Sequence, residues 1–274
     1  MNAPRAAIEA SSVNLFWTGG WDSTFRLLQL LLSHRLAVTP YYLKDPTRPS
    51  TPVELATMER IGERLRETYP HTRDLLRPLR IADADQISVA PHMAAALREI
   101  RRRSYIGDQY AWLPAFCERH AIADMELGVH VDDKVQALLR PYATEFVHAG
   151  GYRSMRVDPR HAGGAEFALF GGFGFPLFHI DKLGIARQAA AEGWDAIMDM
   201  TWFCHRPLRG RPCGLCAPCV YTIEEGLAHR VPASRRALSR VYRSLVLPLK
   251  GPLRRMRASI AQRRDAAAAA PGES

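Results

Sequence analysis

Cysteine is scarce in this chain, five in 274 residues, which excludes the disulfide-dense scaffold of a small secreted domain. No run approaches the roughly 20 uninterrupted apolar residues that span a bilayer. The longest uncharged stretch, Phe167 to Ile180, is broken by three glycines and a proline. The opening MNAPRAAIEASSV has one arginine and no apolar segment before a cleavage site, so no export signal is expected and the setting reads as cytoplasmic. Internal repeats are absent. What remains is 47% hydrophobic and 24% charged, the composition of a globular protein with a sizeable core. The net charge of +9 is not spread evenly. From Arg230 onward there are 11 Lys and Arg against 2 Asp and Glu, while positions 1–229 carry 26 of each. The basic character belongs to a C-terminal extension on a neutral body.

Strand-like and helix-like patterns alternate. Val13–Trp17, Ala37–Leu43, Leu75–Ile81, Asp124–His130 and Phe175–Phe178 read as strands. Helical patterns follow Gly20, cover Thr51–Tyr69 and recur between Met93 and His120; Asp181 is placed to cap another that runs to Glu192. The glycine-rich stretch 142–174 has no clear period. This alternation predicts an α/β fold with a parallel, doubly wound sheet. Three segments are expected: an α/β domain over 1–200, a four-cysteine module with its following helix over 201–230, and a basic amphipathic helical extension over 231–274. The alanine-rich end of that extension is expected from its composition to be disordered.

Leu15 to Thr24 reads LFWTGGWDST. A buried strand ends, two glycines permit a sharp turn and close approach of a ligand, and a helix begins whose unpaired N–H groups favour an anion. Thr18, Ser23 and Thr24 add hydroxyl donors, and Asp22 can cap the helix or help hold a metal ion. No lysine follows the glycines, which excludes the GxxxxGK[ST] loop. Candidates for holding a phosphate are therefore Thr18, Gly19, Gly20, Asp22, Ser23 and Thr24. Asp132 and Asp133 fall where a fourth parallel strand would end, the side of such sheets that binds ligands. Either can orient substrate or Mg2+, or cap the helix that follows. His130 is a weaker candidate for substrate contact.

Cys204, Cys213, Cys216 and Cys219 are spaced C-x8-C-x2-C-x2-C. Two-residue gaps let thiolates converge on one ion, and four sulfurs suit structural Zn2+. An iron–sulfur cluster is the alternative, because C-x2-C-x2-C also serves ferredoxin-like sites. His205 reads as a surface or supporting residue, and Cys117 as a core thiol.

Gly-Gly-x-Asp-Ser-Thr resembles the PP-loop of the ATP pyrophosphatases, which usually reads Ser-Gly-Gly-x-Asp-Ser. Together with the cysteine spacing it resembles the 7-cyano-7-deazaguanine synthase (ExsB-like) family over residues 13–227. Thr201-Trp202-Phe203-Cys204 is similar to that family's Thr-Trp-Ser-Cys, Cys213-Gly-Leu-Cys216-Ala-Pro-Cys219-Val to its Cys-Gly-x-Cys-x-x-Cys-Val, and Asp181-Lys182 to its Thr-Lys pair. The middle departs from the family. After Gly128 this chain reads VHVDDKVQ in place of an Asn and a Ser-Gly-Tyr-Pro-Asp-Cys-Arg run, and no Arg-Asn pair stands near Arg103-Ser104.

The resemblance implies a fold like the adenine nucleotide alpha hydrolases and an enzyme that cleaves ATP to AMP and pyrophosphate with Mg2+. It would adenylate a small carboxylate or amide for attack by ammonia, a C–N ligase chemistry like that of queuosine biosynthesis. Asp22, Ser23, Lys182 and Asp133 are the catalytic candidates, with Lys182 implied by the family's Thr-Lys position. Two alternatives stay open: a PP-loop tRNA-modifying enzyme of the thiolation type, and a non-catalytic nucleotide-binding or scaffold protein.

Beyond residue 230, Ala237, Leu238, Val241, Tyr242, Leu245 and Val246 fall on one helical face, and a shorter pattern of Leu253, Met256 and Ile260 follows Pro248. Docking on the body, a homodimer, and contact with RNA, another protein or an anionic membrane surface are the readings left open for this extension.

Overall fold

A computed structural model describes residues 12–246. The chain forms two compact units, Met1–His205 and Arg206–Ser274. In the first unit, β1 (Val13–Phe16) leads through the glycine turn into α1 (Trp21–Leu28), which ends in a π turn, Gln29–Ser33. Then come β2 (Val38–Lys44), α2 (Thr51–Thr68), the single turn α3 (Thr72–Leu75), β3 (Arg80–Asp83), α4 (Pro91–Arg101) and α5 (Gln109–Arg119). They are followed by β4 (Met125–Glu126), α6 (Lys134–Leu139), a hairpin of β5 (Ala143–Val147) and β6 (Arg153–Val157), α7 (Ala165–Phe170), β7 (Phe173–Gly174), α8 (Lys182–Ala191) and α9 (Asp195–Met198).

The five-stranded sheet has the order β3-β2-β1-β4-β7, and every pairing is parallel. Helices cover both faces, so the central strands are buried on each side and read as near-continuous apolar runs, as in Val13-Asn14-Leu15-Phe16. Phe16, Tyr41 and Leu43 join α4, α5 and α7 in one core. Phe25, Leu27 and Leu28 of α1 are fully buried. Each such side chain contributes about 1.5–3 kcal/mol of transfer free energy. The strand order reverses at β1: β2 and β3 lie to one side, β4 and β7 to the other. The carboxyl ends of β1 and β4 therefore border the crevice in which doubly wound sheets bind ligands.

Three expected strands are shifted or shortened. The third begins at Arg80 rather than Leu75. Leu76 bridges Val38, but Pro78 offers no N–H to continue the ladder. The fourth pairs only over Met125–Glu126, because a tight Val129 N–H to Leu127 O bond of 2.8 Å turns the chain out of the sheet. The fifth is Phe173–Gly174, not Phe175–Phe178. The Phe175 N–H bonds Met155 O at 2.7 Å and leaves the parallel ladder for the hairpin.

The second unit contains α10 (Ala217–Glu224) and α11 (Ala233–Val241), the latter running into a π turn at Tyr242–Val246. Leu208 and Arg211 pair across Arg209 and Gly210, both at positive φ (51° and 72°), the geometry of a tight two-residue hairpin. The pattern of Leu253, Met256 and Ile260 and the alanine-rich end lie outside the described residues.

Candidate functional site

The loop after β1 is shaped by its neighbours. Gly19 sits at φ 67°, and a Cβ there would meet Met58 Cγ at 3.0 Å and Thr57 Cγ2 at 3.3 Å, so α2 presses on the turn from behind. Trp202 donates its backbone N–H to Gly19 O at 2.9 Å, which ties the loop to the segment leading into Cys204. The first helical bond is Thr24 N–H to Gly20 O at 3.0 Å, so the N–H groups of Asp22 and Ser23 precede the helical ladder at the positive end of α1. Ser23 Oγ accepts from Thr18 N–H and approaches Thr18 Oγ1, both at 3.4 Å, closing the loop across its mouth. Thr24, a candidate phosphate donor by residue type, is fully buried, and its hydroxyl accepts from Trp17 Nε1 at 3.0 Å. It braces the joint between β1 and α1.

Opposite the loop, the end of β4 comes so close that a Cβ on Gly128 would lie 3.3 Å from Asp22 Cβ and 3.4 Å from Ser23 N. This approach brings Asp22, His130, Asp132 and Asp133 together. His130 is 5% exposed; its Nδ1 accepts from Asp132 N–H at 3.2 Å, and its Nε2 lies 3.6 Å from Asp22 Oδ2. Asp133 caps α6 by accepting from Val135 N–H at 2.9 Å. Burial, followed by the Asp22 charge, pushes the Asp133 carboxyl up from its ordinary value, against the pull of that N–H, His130 and Lys182. Asp132 accepts from Lys182 N–H at 3.1 Å and so holds the start of α8, which Asp181 caps through Gly184 N–H. Lys182 is thus beside the carboxylates, half-exposed, at the first helical position. Asp22 Oδ1 is buried with no hydrogen-bond partner, an arrangement that costs stability unless a ligand supplies the partner. Two neighbouring carboxylates with one orphaned oxygen suit a hard divalent cation such as the Mg2+ that accompanies a nucleotide.

A cleft of about 220 Å3 opens between these groups, its walls including Asp22, Ser23, Arg48, Tyr110, Trp112 and Asp133. Arg48 is held by Gln109 Oε1 at 2.8 Å and Asp45 Oδ2 at 3.3 Å. Burial pushes the Tyr110 hydroxyl well above its ordinary range. No motif marks Arg48, Gln109, Tyr110 or Trp112, because Arg48 lies in the turn before α2 and the other three at the start of α5, so no local spacing links them. Also unforeseen is a buried ion pair under the site. Arg26 of α1 meets Glu126 of β4 in two bonds of 2.7 and 2.9 Å, and Tyr152 adds its hydroxyl to Glu126 at 2.7 Å.

The ligand atoms of Cys204, Cys213, Cys216 and Cys219 all lie within 4.8 Å of one another. Cys213 and Cys219 sulfurs are 3.9 Å apart, and Cys213 Sγ accepts N–H bonds from Leu215 and Cys216 at 3.4 and 3.3 Å. Such N–H donors stabilise a thiolate. A tetrahedral ion with Zn–S bonds of about 2.3 Å sets its sulfurs about 3.8 Å apart, and the four thiols fit one ion of that kind. His205 beside them is half-buried. Cys117 stands apart, buried in α5, where burial pushes its thiol up to about 12. Metal analysis is therefore expected to find about one bound ion per chain, retained by Cys117→Ser and lost from Cys216→Ser. Retention by Cys216→Ser would exclude the four-thiolate site.

No protein-family model matches the chain, and no curated protein matches it. Among solved structures it is similar to the U34-tRNA thiolase NcsA from Methanococcus maripaludis with its 4Fe-4S cluster. The identity is 14% and the TM-score 0.41, over 86% of this chain and 72% of that one. A likeness at this level decides nothing about chemistry; the fold stands on the strand order itself.

Proposed function

We propose that the chain is a PP-loop ATP pyrophosphatase that activates a carboxylate or amide oxygen as its adenylate. The observation that carries this reading is the pairing of a glycine turn at a helix start with an orphaned, buried Asp22 oxygen at the strand-order reversal. The acceptor oxygen attacks the α-phosphorus of ATP, and pyrophosphate leaves with the α–β bridging oxygen. On a carboxylate, ammonia then attacks the acyl carbon, gives up a proton, and AMP departs with the acceptor's oxygen; on an amide, a second ATP adenylates the oxygen, and loss of the nitrogen's protons with departure of AMP leaves a nitrile. Loop N–H groups and the Ser23 and Thr18 hydroxyls bind the phosphates and offset the charge that grows on the leaving pyrophosphate. Asp22 and Asp133 would hold the cation, which would neutralise phosphate charge. His130 fixes Asp22 from behind, and Lys182 adds positive charge at the cleft edge. The aromatic walls of Tyr110 and Trp112 suit a flat base.

The finer reading follows the resemblance: a carboxylated deazaguanine as acceptor, converted with ammonia to its amide or nitrile. The close sulfur spacing supports structural Zn2+ at the cysteines, since a cubane cluster holds its thiolates farther apart than a single ion does. That spacing favours the ligase over the thiolation-type alternative.

The test uses anaerobically purified protein with ATP, Mg2+, ammonium and 7-carboxy-7-deazaguanine. Release of AMP and pyrophosphate with an aminated product supports both levels of the reading. Release of AMP and pyrophosphate only with other carboxylates keeps the adenylating activity and removes the deazaguanine. ATP cleavage to ADP, or none with any carboxylate, overturns the proposal.

A further inference from the structure

The second unit presents a surface that ATP chemistry does not use. Helix α11 is oriented against the usual rule for a surface helix. It buries Ser239, 2% exposed, and turns Leu238, Val241 and Leu245 outward at 40%, 54% and 64% exposure. Those three share one face at i, i+3 and i+7. Leu208, 48% exposed, stands at the two-residue hairpin among the exposed Arg206, Arg209 and Arg211. The hairpin segment and the helix belong together, since a Cβ on Gly214 would lie 2.7 Å from Arg235 O. Residues 206–246 carry eight arginines against two glutamates, and residues 247–274 add six Lys and Arg against two acids.

We infer that the second unit docks on an anionic membrane surface. Apolar side chains and dense positive charge on one small unit match the two layers of a bilayer interface. Leu238, Val241 and Leu245 enter the boundary of headgroups and acyl chains while arginines meet lipid phosphates. Two other occupants explain less. A nucleic acid accounts for the arginines and leaves the aliphatic stripe in water. A second copy would bring two strongly basic units together over three aliphatic side chains, a contact too small for the roughly 1,000 Å2 of a stable interface. The proposal does not depend on the reading of the ATP site, and Asp22→Asn is expected to dock as the unaltered chain does.

The experiment is flotation of the full chain with phosphatidylcholine vesicles, with and without phosphatidylserine. Binding is expected only with phosphatidylserine and should weaken steeply as salt is raised. Leu238→Ser/Val241→Ser/Leu245→Ser should lower binding at least about tenfold while keeping its metal content and helical circular dichroism. Arg206→Ser/Arg209→Gly/Arg211→Ser should lower it by about fivefold per arginine; glycine is chosen for the positive φ at 209. Absence of flotation, equal binding to both vesicles, or unchanged binding by the serine variant overturns the inference. So does a dimer abolished by those serines, or tRNA binding abolished by the arginine changes, in a chain that does not float.

Discussion

Asp22→Asn is expected to lower AMP and pyrophosphate release by about 100- to 1,000-fold, the scale of losing one preorganised charge-stabilising group, without lowering the melting temperature. The two halves of this result have one cause. Asp22 Oδ1 is buried and unpartnered, and a second carboxylate, that of the partly buried Asp133, stands near it. Removing the charge relieves desolvation and repulsion, so the folded state gains even as the cation loses a ligand. If Asp22 served only to start α1, Asn would replace it at little cost, because Asn is as good a residue at helix starts. Pyrophosphate release and thermal unfolding measured on the same preparation decide the matter. Retained activity removes Asp22 from the site, and a markedly lower melting temperature makes its role structural.

Arg26→Met is expected to destabilise the chain by about 3–5 kcal/mol, because it strands the Glu126 carboxylate in the interior without its partner. Arg26 and Glu126 are each about 2% exposed, and Glu126 also serves the Tyr152 hydroxyl, whose own ionisation is pushed far upward by burial and by that charge. Replacing both members, Arg26→Met with Glu126→Leu, should recover most of the loss, since a buried pair exchanged for apolar groups is often neutral. Denaturant midpoints of the two variants test this. Equal destabilisation by the single and double variants would show that packing, not the stranded charge, sets the cost. The pair joins α1, which follows the glycine turn, to β4, which leads into Gly128 and the carboxylates beyond it.

Much of this architecture is legible in order along the chain. Val13–Phe16, the glycine turn and the helix behind it are local features, fixed by buried strand propensity, glycine φ and the helix start. The cysteine knuckle is equally local, since its two-residue gaps bring sulfurs together. Asp181 and Asp133 are found as helix caps where a short polar residue precedes a helical run. The misplaced strands fail for a reason that spacing does not carry. A parallel strand exists only where a neighbour accepts its ladder, and Pro78, the turn at Val129 and the Met155 bond to Phe175 decide where each ladder stops. The burial of Thr24 is likewise not written in the local pattern. Its hydroxyl suits a phosphate by type, but the Trp17 indole reaches it first inside the core.

The sequence by itself determined the alternation of strands and helices, the glycine turn with its helix start, the four thiols fit for one ion and the location of the surplus charge. Each depends on residues within a few positions of one another, where backbone geometry and side-chain chemistry act without the rest of the chain. Only the tertiary structure decided that β1 and β4 are neighbours at the reversal of strand order. It alone set Asp22 against His130 and Asp133, and buried Arg26 against Glu126, pairs about 100 residues apart in sequence. It alone turned Leu238, Val241 and Leu245 outward. Those outcomes follow from competition among distant groups for burial and for hydrogen-bond partners, and no local pattern records who wins it.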